Sequence, residues 1–192
     1  CEGCRLCLRI CPEQAITSIK NKNNHWYVSD TRFGPFVYAR LNPGEENSGK
    51  LVTRVRKKAA EIASNKSTRL IINDGPPGIG CPVIASLTGT SKVLIVIEPT
   101  LSGLHDAQRL VDLVRMFNIR IYAVINKYDI NKKVTRNIEK YFQENSIPVI
   151  GRIPFHIDLV KAMIHKKTIV EYNPESEITG IIRNIWEKIN DN

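Results

Sequence analysis

From Lys92 to the end of the chain, apolar and polar positions switch repeatedly between two periods. Lys92-Val93-Leu94-Ile95-Val96-Ile97 is almost continuously apolar, the signature of a strand buried on both faces. Leu104, Ala107, Leu110, Val111, Val114 and Phe117 then recur at helical spacing, with Ser102 as the predicted cap. Ile119 to Ile125 reads as the next strand, Asn131 to Asn145 as a polar surface helix, and Ile147 to Ile150 as a short strand. Ile178, Ile182, Ile185 and Ile189 mark a closing helix. Upstream, Leu70-Ile71-Ile72-Asn73 predicts a strand stopped by Gly75-Pro76-Pro77-Gly78. Before it, Val52, Val55, Ala59, Ile62 and Ala63 share a helix face opposite Arg54, Arg56, Lys57 and Lys58, with Asn47 or Ser48 as the cap. Nearer the start, His25 to Val28 and Phe36 to Leu41 predict a hairpin broken at Gly34-Pro35.

Strands alternating with helices of this length call for an α/β fold: a doubly wound, mostly parallel sheet joined by right-handed crossovers. Residues 1–41 form a small, cysteine-bearing, β-rich appendage, and residues 42–192 the main domain. In such a sheet the loops after the strands gather at one edge, where ligand chemistry collects. Asp74, Glu98-Pro99-Thr100, Asn126-Lys127-Tyr128-Asp129 and Gly151-Arg152-Ile153-Pro154 are all expected there.

Composition narrows the class. The 192 residues are 42% apolar, enough to bury a core. There is no apolar run of the ~18 residues that spans a bilayer and no signal peptide, so no membrane span and a cytoplasmic location are expected. Lys+Arg 28 against Asp+Glu 19 gives a net charge of +9, which suits a nucleotide, a nucleic acid or an acidic protein, and equally a set of solvated helix faces. A chain that begins at Cys1 rather than Met reads as part of a longer protein.

The cysteines supply the most specific chemistry. Cys1, Cys4, Cys7 and Cys11, followed by Pro12, reproduce the bacterial ferredoxin run, whose tight spacing lets three thiolates wrap one iron–sulfur cube. Zinc more often shows two separated pairs, and a disulfide framework implies a secreted protein without the α/β pattern. By the two-cluster pattern Cys1, Cys4 and Cys7 bind one 4Fe–4S cluster and Cys11 ligates another. Cys81 reads as a small buried residue in a turn, or as a fourth ligand. Asp74 is placed at a strand tip, where Asp-x-Pro-Pro-Gly looks like the Mg²⁺-holding acid of a nucleotide hydrolase; the alternative is an Asp capping a surface turn. Gly44 to Lys50 matches a phosphate-loop spelling. It reads as a false match, because Leu51 replaces the Mg²⁺-binding hydroxyl and Glu45 and Glu46 would face phosphates. His105, His156 and His165 are too scattered for a metal site.

Taken together, Asp-Gly-Pro-Pro-Gly-Ile-Gly-Cys-Pro, Glu-Pro-Thr-x-Ser-Gly-Leu-His-Asp, Ile-Asn-Lys-Tyr-Asp and Gly-Arg-Ile-Pro resemble the MinD/ParA/Mrp superfamily of P-loop ATPases, in the branch with an inserted ferredoxin domain. The resemblance covers essentially the whole chain. It implies an ATPase using Mg²⁺, carrying one or two 4Fe–4S clusters, able to form a homodimer around ATP and to serve a protein partner. Position by position, Asp74 resembles the Walker B acid, Gly78 the switch II glycine, Asn126 the residue that hydrogen-bonds adenine, and Pro154 a backbone contact to the base. Asp129 is ambiguous, since Asn-Lys-x-Asp also resembles the guanine-reading motif of GTPases; the flanking motifs favour ATP. The family's Lys-Gly-Gly-x₃-Lys-Thr loop, its first switch Asp and its first cysteine motif are not in these 192 residues. Two other readings stay open: an iron–sulfur electron-transfer or carrier module on an α/β scaffold, and a partition-type nucleic-acid-associated protein suggested by Arg54-Val55-Arg56-Lys57-Lys58.

Overall fold

The computed structural model describes residues 5–18, 25–42 and 48–190. Cys1, Cys4 and most of the Gly44–Lys50 segment lie outside them. The chain divides into two compact units, Cys1–Thr88 and Gly89–Asn192.

In the second unit β3 (Lys92–Ile97), β4 (Arg120–Asn126) and β5 (Val149–Ile153) form a parallel sheet in sequential order, joined through α4 (Leu101–Arg115) and α5 (Lys132–Glu144). The α/β class with a parallel sheet and alternating helices is therefore present as expected. β4 is central, and Ile121, Tyr122, Ala123, Val124 and Ile125 are buried in succession, as a strand covered on both faces requires. On one face α8 (Glu177–Asn190) closes Tyr122, Val124 and Ile150 under Ile185, with Ile181 and Ile189 packed alongside. Gly151 lets the helix come this close, since a Cβ there would overlap both Cγ1 and Cδ1 of Ile185. α6 (Ile157–Ile164), α7 (Ile169–Tyr172) and α8 share a smaller core of Ala162, Ile169 and Ile178. Thr179, fully buried, anchors that corner: its hydroxyl bonds the Asn173 carbonyl at 2.8 Å, and its N–H donates to Ser176 Oγ at 3.1 Å.

At α5 the Asn131 side chain caps the helix by accepting from the Val134 N–H, and at α4 the cap differs from the one expected. There Thr100, not Ser102, accepts from the Gly103 N–H, so the helix begins earlier than expected. α5 is also more than a surface helix. Val134, Thr135, Ile138 and Phe142 form a buried stripe that its many charges obscure in the sequence.

The first unit holds α1 (Leu6–Ile10), the antiparallel pair β1 (His25–Thr31) and β2 (Gly34–Arg40), α2 (Gly49–Asn65) and α3 (Cys81–Leu87). The hairpin turns at Arg32-Phe33, with Gly34 (φ 119°) and Pro35 already in the second strand opposite Thr31 and Asp30. The Arg54 guanidinium sits 5.8 Å from the Trp26 ring centroid, tying hairpin to α2. Ser48 caps α2 through the Leu51 N–H. Arg56 Nη1 donates to the carbonyls of Ala85 and Thr88, each at 2.6 Å, and so joins α2 to the end of α3. Burial pulls that guanidinium below its ordinary pKa.

Two expectations fail in this unit. Leu70-Ile71-Ile72-Asn73 joins no ladder among the described residues, and its three apolar side chains are exposed. A strand is stable only when a neighbour takes its N–H and C=O groups, and an apolar run alone does not supply one. Cys81 is not a buried turn residue: it opens α3 and is exposed.

The close approach at Gly151 and the buried hydroxyl of Thr179 can each be measured. Gly151→Ala should lower stability by about 1–3 kcal/mol through overpacking, and Ile185→Val in the same chain should recover part of the loss in urea unfolding. Thr179→Val should cost about 1–3 kcal/mol by leaving buried polar groups unpaired, with the secondary structure unchanged by circular dichroism.

Candidate functional site

In a parallel sheet all strands point the same way, so the loops leaving β3, β4 and β5 emerge at one edge. The last residue of β4, Asn126, pairs in the ladder with Ile153, the last of β5, which places Asn126 beside Pro154. Of the residues singled out from the sequence, Asn126, Asp129 and Pro154 are thus brought together on adjoining loops.

These loops are fastened by specific contacts. Glu98, just past β3, pairs with Lys127 Nζ at 2.7 Å, joining the first loop to the second. Lys127 itself is left-handed, at φ 53°, a conformation that costs a non-glycine residue free energy and turns the chain sharply as it leaves the strand. The Tyr128 N–H donates to the Ile153 carbonyl at 3.2 Å, while the Tyr128 carbonyl accepts from the buried Thr135 hydroxyl at 2.7 Å. Asp129 Oδ1 accepts from the Phe155 N–H at 2.8 Å, joining the second loop to the third. In the first loop the Thr100 N–H donates to the Glu98 carbonyl at 2.8 Å. Gly103 permits this fold-back, because a Cβ there would stand 2.7 Å from that same oxygen. The Asn126 carboxamide has no hydrogen-bond partner among the described residues.

Asp74 and Gly78 belong to the other unit. Asp74 is exposed and comes after an irregular segment rather than a strand; Gly78 has φ 89°, open to glycine and strained for other residues. Cys7 lies in α1 and Cys11 just after it, the first exposed and the second half-buried. The described residues contain no group of three or more His, Cys, Asp or Glu side chains able to hold a metal, and two of the four clustered cysteines lie outside them. The Glu98–Lys127 pair and the Phe155 amide escaped the sequence reading. Only the Asn-Lys-x-Asp spelling hinted at the first, and a backbone donor leaves no trace in sequence.

The family model described as ParA, NUBPL iron-transfer P-loop NTPase, matches residues 48–190. The uncharacterized protein MJ0578 of Methanocaldococcus jannaschii is 31% identical over 98% of this chain and 62% of its own length. The septum site-determining protein MinD of Bacillus subtilis is 25% identical over 84% of this chain and 62% of its own. The chain thus spans a little over three fifths of the length of each of these two relatives. Among solved structures, the Pyrococcus furiosus cell division ATPase MinD superposes with a TM-score of 0.60 at 18% identity, covering 75% of this chain and 59% of that one. MinD of Pyrococcus horikoshii, solved with Mg-ADP, gives 0.59 at 16% identity over 74% and 57%. The chain belongs to the ParA family of P-loop NTPases, matching its NUBPL-type model.

Proposed function

We propose that this chain carries the base-binding and metal-binding part of an ATPase of the MinD type, coupled to an iron–sulfur module in residues 1–41, with residues 42–192 as the nucleotide-binding domain. The observation that carries the nucleotide half is the fastening of the Asn126–Asp129 loop to the Ile153–Phe155 loop at the carboxyl edge of a parallel sheet. Asn126, whose carboxamide both donates and accepts, reads adenine, and the Pro154 backbone contacts the base. Asp74 would hold Mg²⁺, and Gly78 would lie in the loop that senses the γ-phosphate. Bound Mg²⁺ would neutralise charge on the β- and γ-phosphates; the protein's own work is positioning. No helix among the described residues is long and apolar enough to cross a membrane. A cytoplasmic homodimer that closes on ATP and serves a further protein completes the reading.

The iron–sulfur half rests on the cysteine run and on the exposure of the Cys7 thiol. An exposed, metal-free cysteine oxidises readily, so the cluster is expected only in protein kept from oxygen. The exposed thiol and the iron-transfer description of the matching family also suit a second reading, in which the cluster is cargo handed on and the α/β domain is its scaffold.

Four measurements test these statements. In the complete natural protein, Asp74→Asn should cut ATP turnover by about 10–100-fold, as loss of an outer-sphere metal partner does, without changing the circular dichroism. Unchanged turnover would mean the wrong acid was chosen. The 192 residues alone should give no measurable hydrolysis, since the Lys-Gly-Gly-x₃-Lys-Thr spelling of the family's phosphate loop is not in their sequence. Protein purified without oxygen should contain iron and acid-labile sulfide and lose both in Cys7→Ser; zinc without sulfide would exclude the cluster. ATP-independent delivery of iron and sulfide to an acceptor would favour the carrier reading.

A further inference from the structure

Asn126-Lys127-Tyr128-Asp129 has the spelling of a guanine reader, and Asp129 is the residue on which that role depends. A carboxylate reads guanine by accepting from the ring N1–H and the neighbouring 2-amino group, one on each oxygen, so both oxygens must face the base. In the folded chain Asp129 Oδ1 is already engaged, 2.8 Å from the main-chain N–H of Phe155, 26 residues further on. Two other contacts set it there. The left-handed turn at Lys127 redirects the chain as it leaves β4, and Tyr128 is held between the Ile153 carbonyl and the buried Thr135 hydroxyl. The Asp129 carboxylate is thus delivered to the neighbouring loop immediately after Pro154.

We infer that Asp129 is a positioning residue: it staples the loop after β5 to the loop after β4, holds Pro154 and Phe155 in register with Asn126, and leaves the base to be read by Asn126. A carboxylate offers only acceptors, whereas adenine presents a donor beside an acceptor, the pattern a carboxamide complements. With its carboxylate held at the Phe155 N–H, Asp129 does not supply the paired acceptors that guanine's N1–H and 2-amino group need, so the guanine-like spelling does not make a guanine reader. This inference rests on the nucleotide-site reading above, though the staple itself is measurable without nucleotide.

The test uses the complete natural protein with Asp129→Ala and Asp129→Asn. Hydrogen exchange at the Phe155 amide is measured without nucleotide, and ATP, GTP and xanthosine triphosphate each compete against a fluorescent ATP analogue. Asp129→Ala should speed exchange at Phe155 and weaken ATP binding by about tenfold, the weight of one charge-assisted hydrogen bond. Asp129→Asn keeps an acceptor oxygen in the same place, so it should restore both protection and ATP affinity to within about threefold, and no variant should gain xanthosine triphosphate. A wild-type preference for GTP that Asp129→Asn turns into a preference for xanthosine triphosphate would overturn the inference, because it identifies the carboxylate as the base reader. Unchanged exchange at Phe155 in Asp129→Ala would overturn it equally. If the wild type binds none of the three nucleotides, the nucleotide reading is lost, and the exchange measurement still decides the staple.

Discussion

Ile121 to Ile125 are shut away from water on both faces of β4, and the second unit is arranged around that burial. Excluding five apolar side chains contributes on the order of 10 kcal/mol before chain entropy is subtracted, an upper bound because the unfolded chain already hides some of that surface. The backbone of so dry a strand must find partners, and β3 and β5 provide them on either side. Parallel neighbours cannot be joined by tight turns, so each connection crosses over as a helix, and α4 and α5 meet that need. Apolar surface then recurs where the helices pack: Val111 and Val114 on α4, Ile138 and Phe142 on α5, Ile185 on α8.

That same parallelism creates the candidate site. Every strand delivers its last residue to one edge, and the chain turns polar there because it is leaving the core. Two contacts between side chain and neighbouring loop, Glu98 with Lys127 and Asp129 with the Phe155 amide, turn three independent loops into one connected rim. The left-handed Lys127 is tolerated because bonds on both sides of Tyr128 over-determine the turn. A rim held in this way is organised before a ligand arrives, which reduces the entropy a ligand must overcome.

The first unit is built differently. α2 has no fully buried residue, and it is held by Arg56 reaching the carbonyls at the end of α3 and by Arg54 over Trp26. Leu70, Ile71 and Ile72 stand exposed in an irregular segment leading to Asp74. Three neighbouring apolar side chains in water are unusual in a folded chain.

Much of this architecture was legible in the sequence because it depends on local rules. Unbroken apolar runs announced β3 and β4, although Leu94 and Val96 leave β3 exposed on one face rather than buried on both; the recurring isoleucines announced α8, and Ser48 sits where cap chemistry puts it. The α4 cap falls at Thr100 rather than Ser102, since the two are chemically equal candidates and only the backbone path out of β3 chooses between them. Charges along α5 hid a stripe that becomes visible once β5 packs against it. Leu70 to Asn73 has strand composition without a strand, because pairing is a property of two segments and sequence shows one. Asp129 makes the same point at the site. Its spelling admits a base reader or a staple, and the choice is made by the N–H of a residue 26 positions away, a donor that every non-proline residue carries and that only the tertiary fold can bring within 2.8 Å.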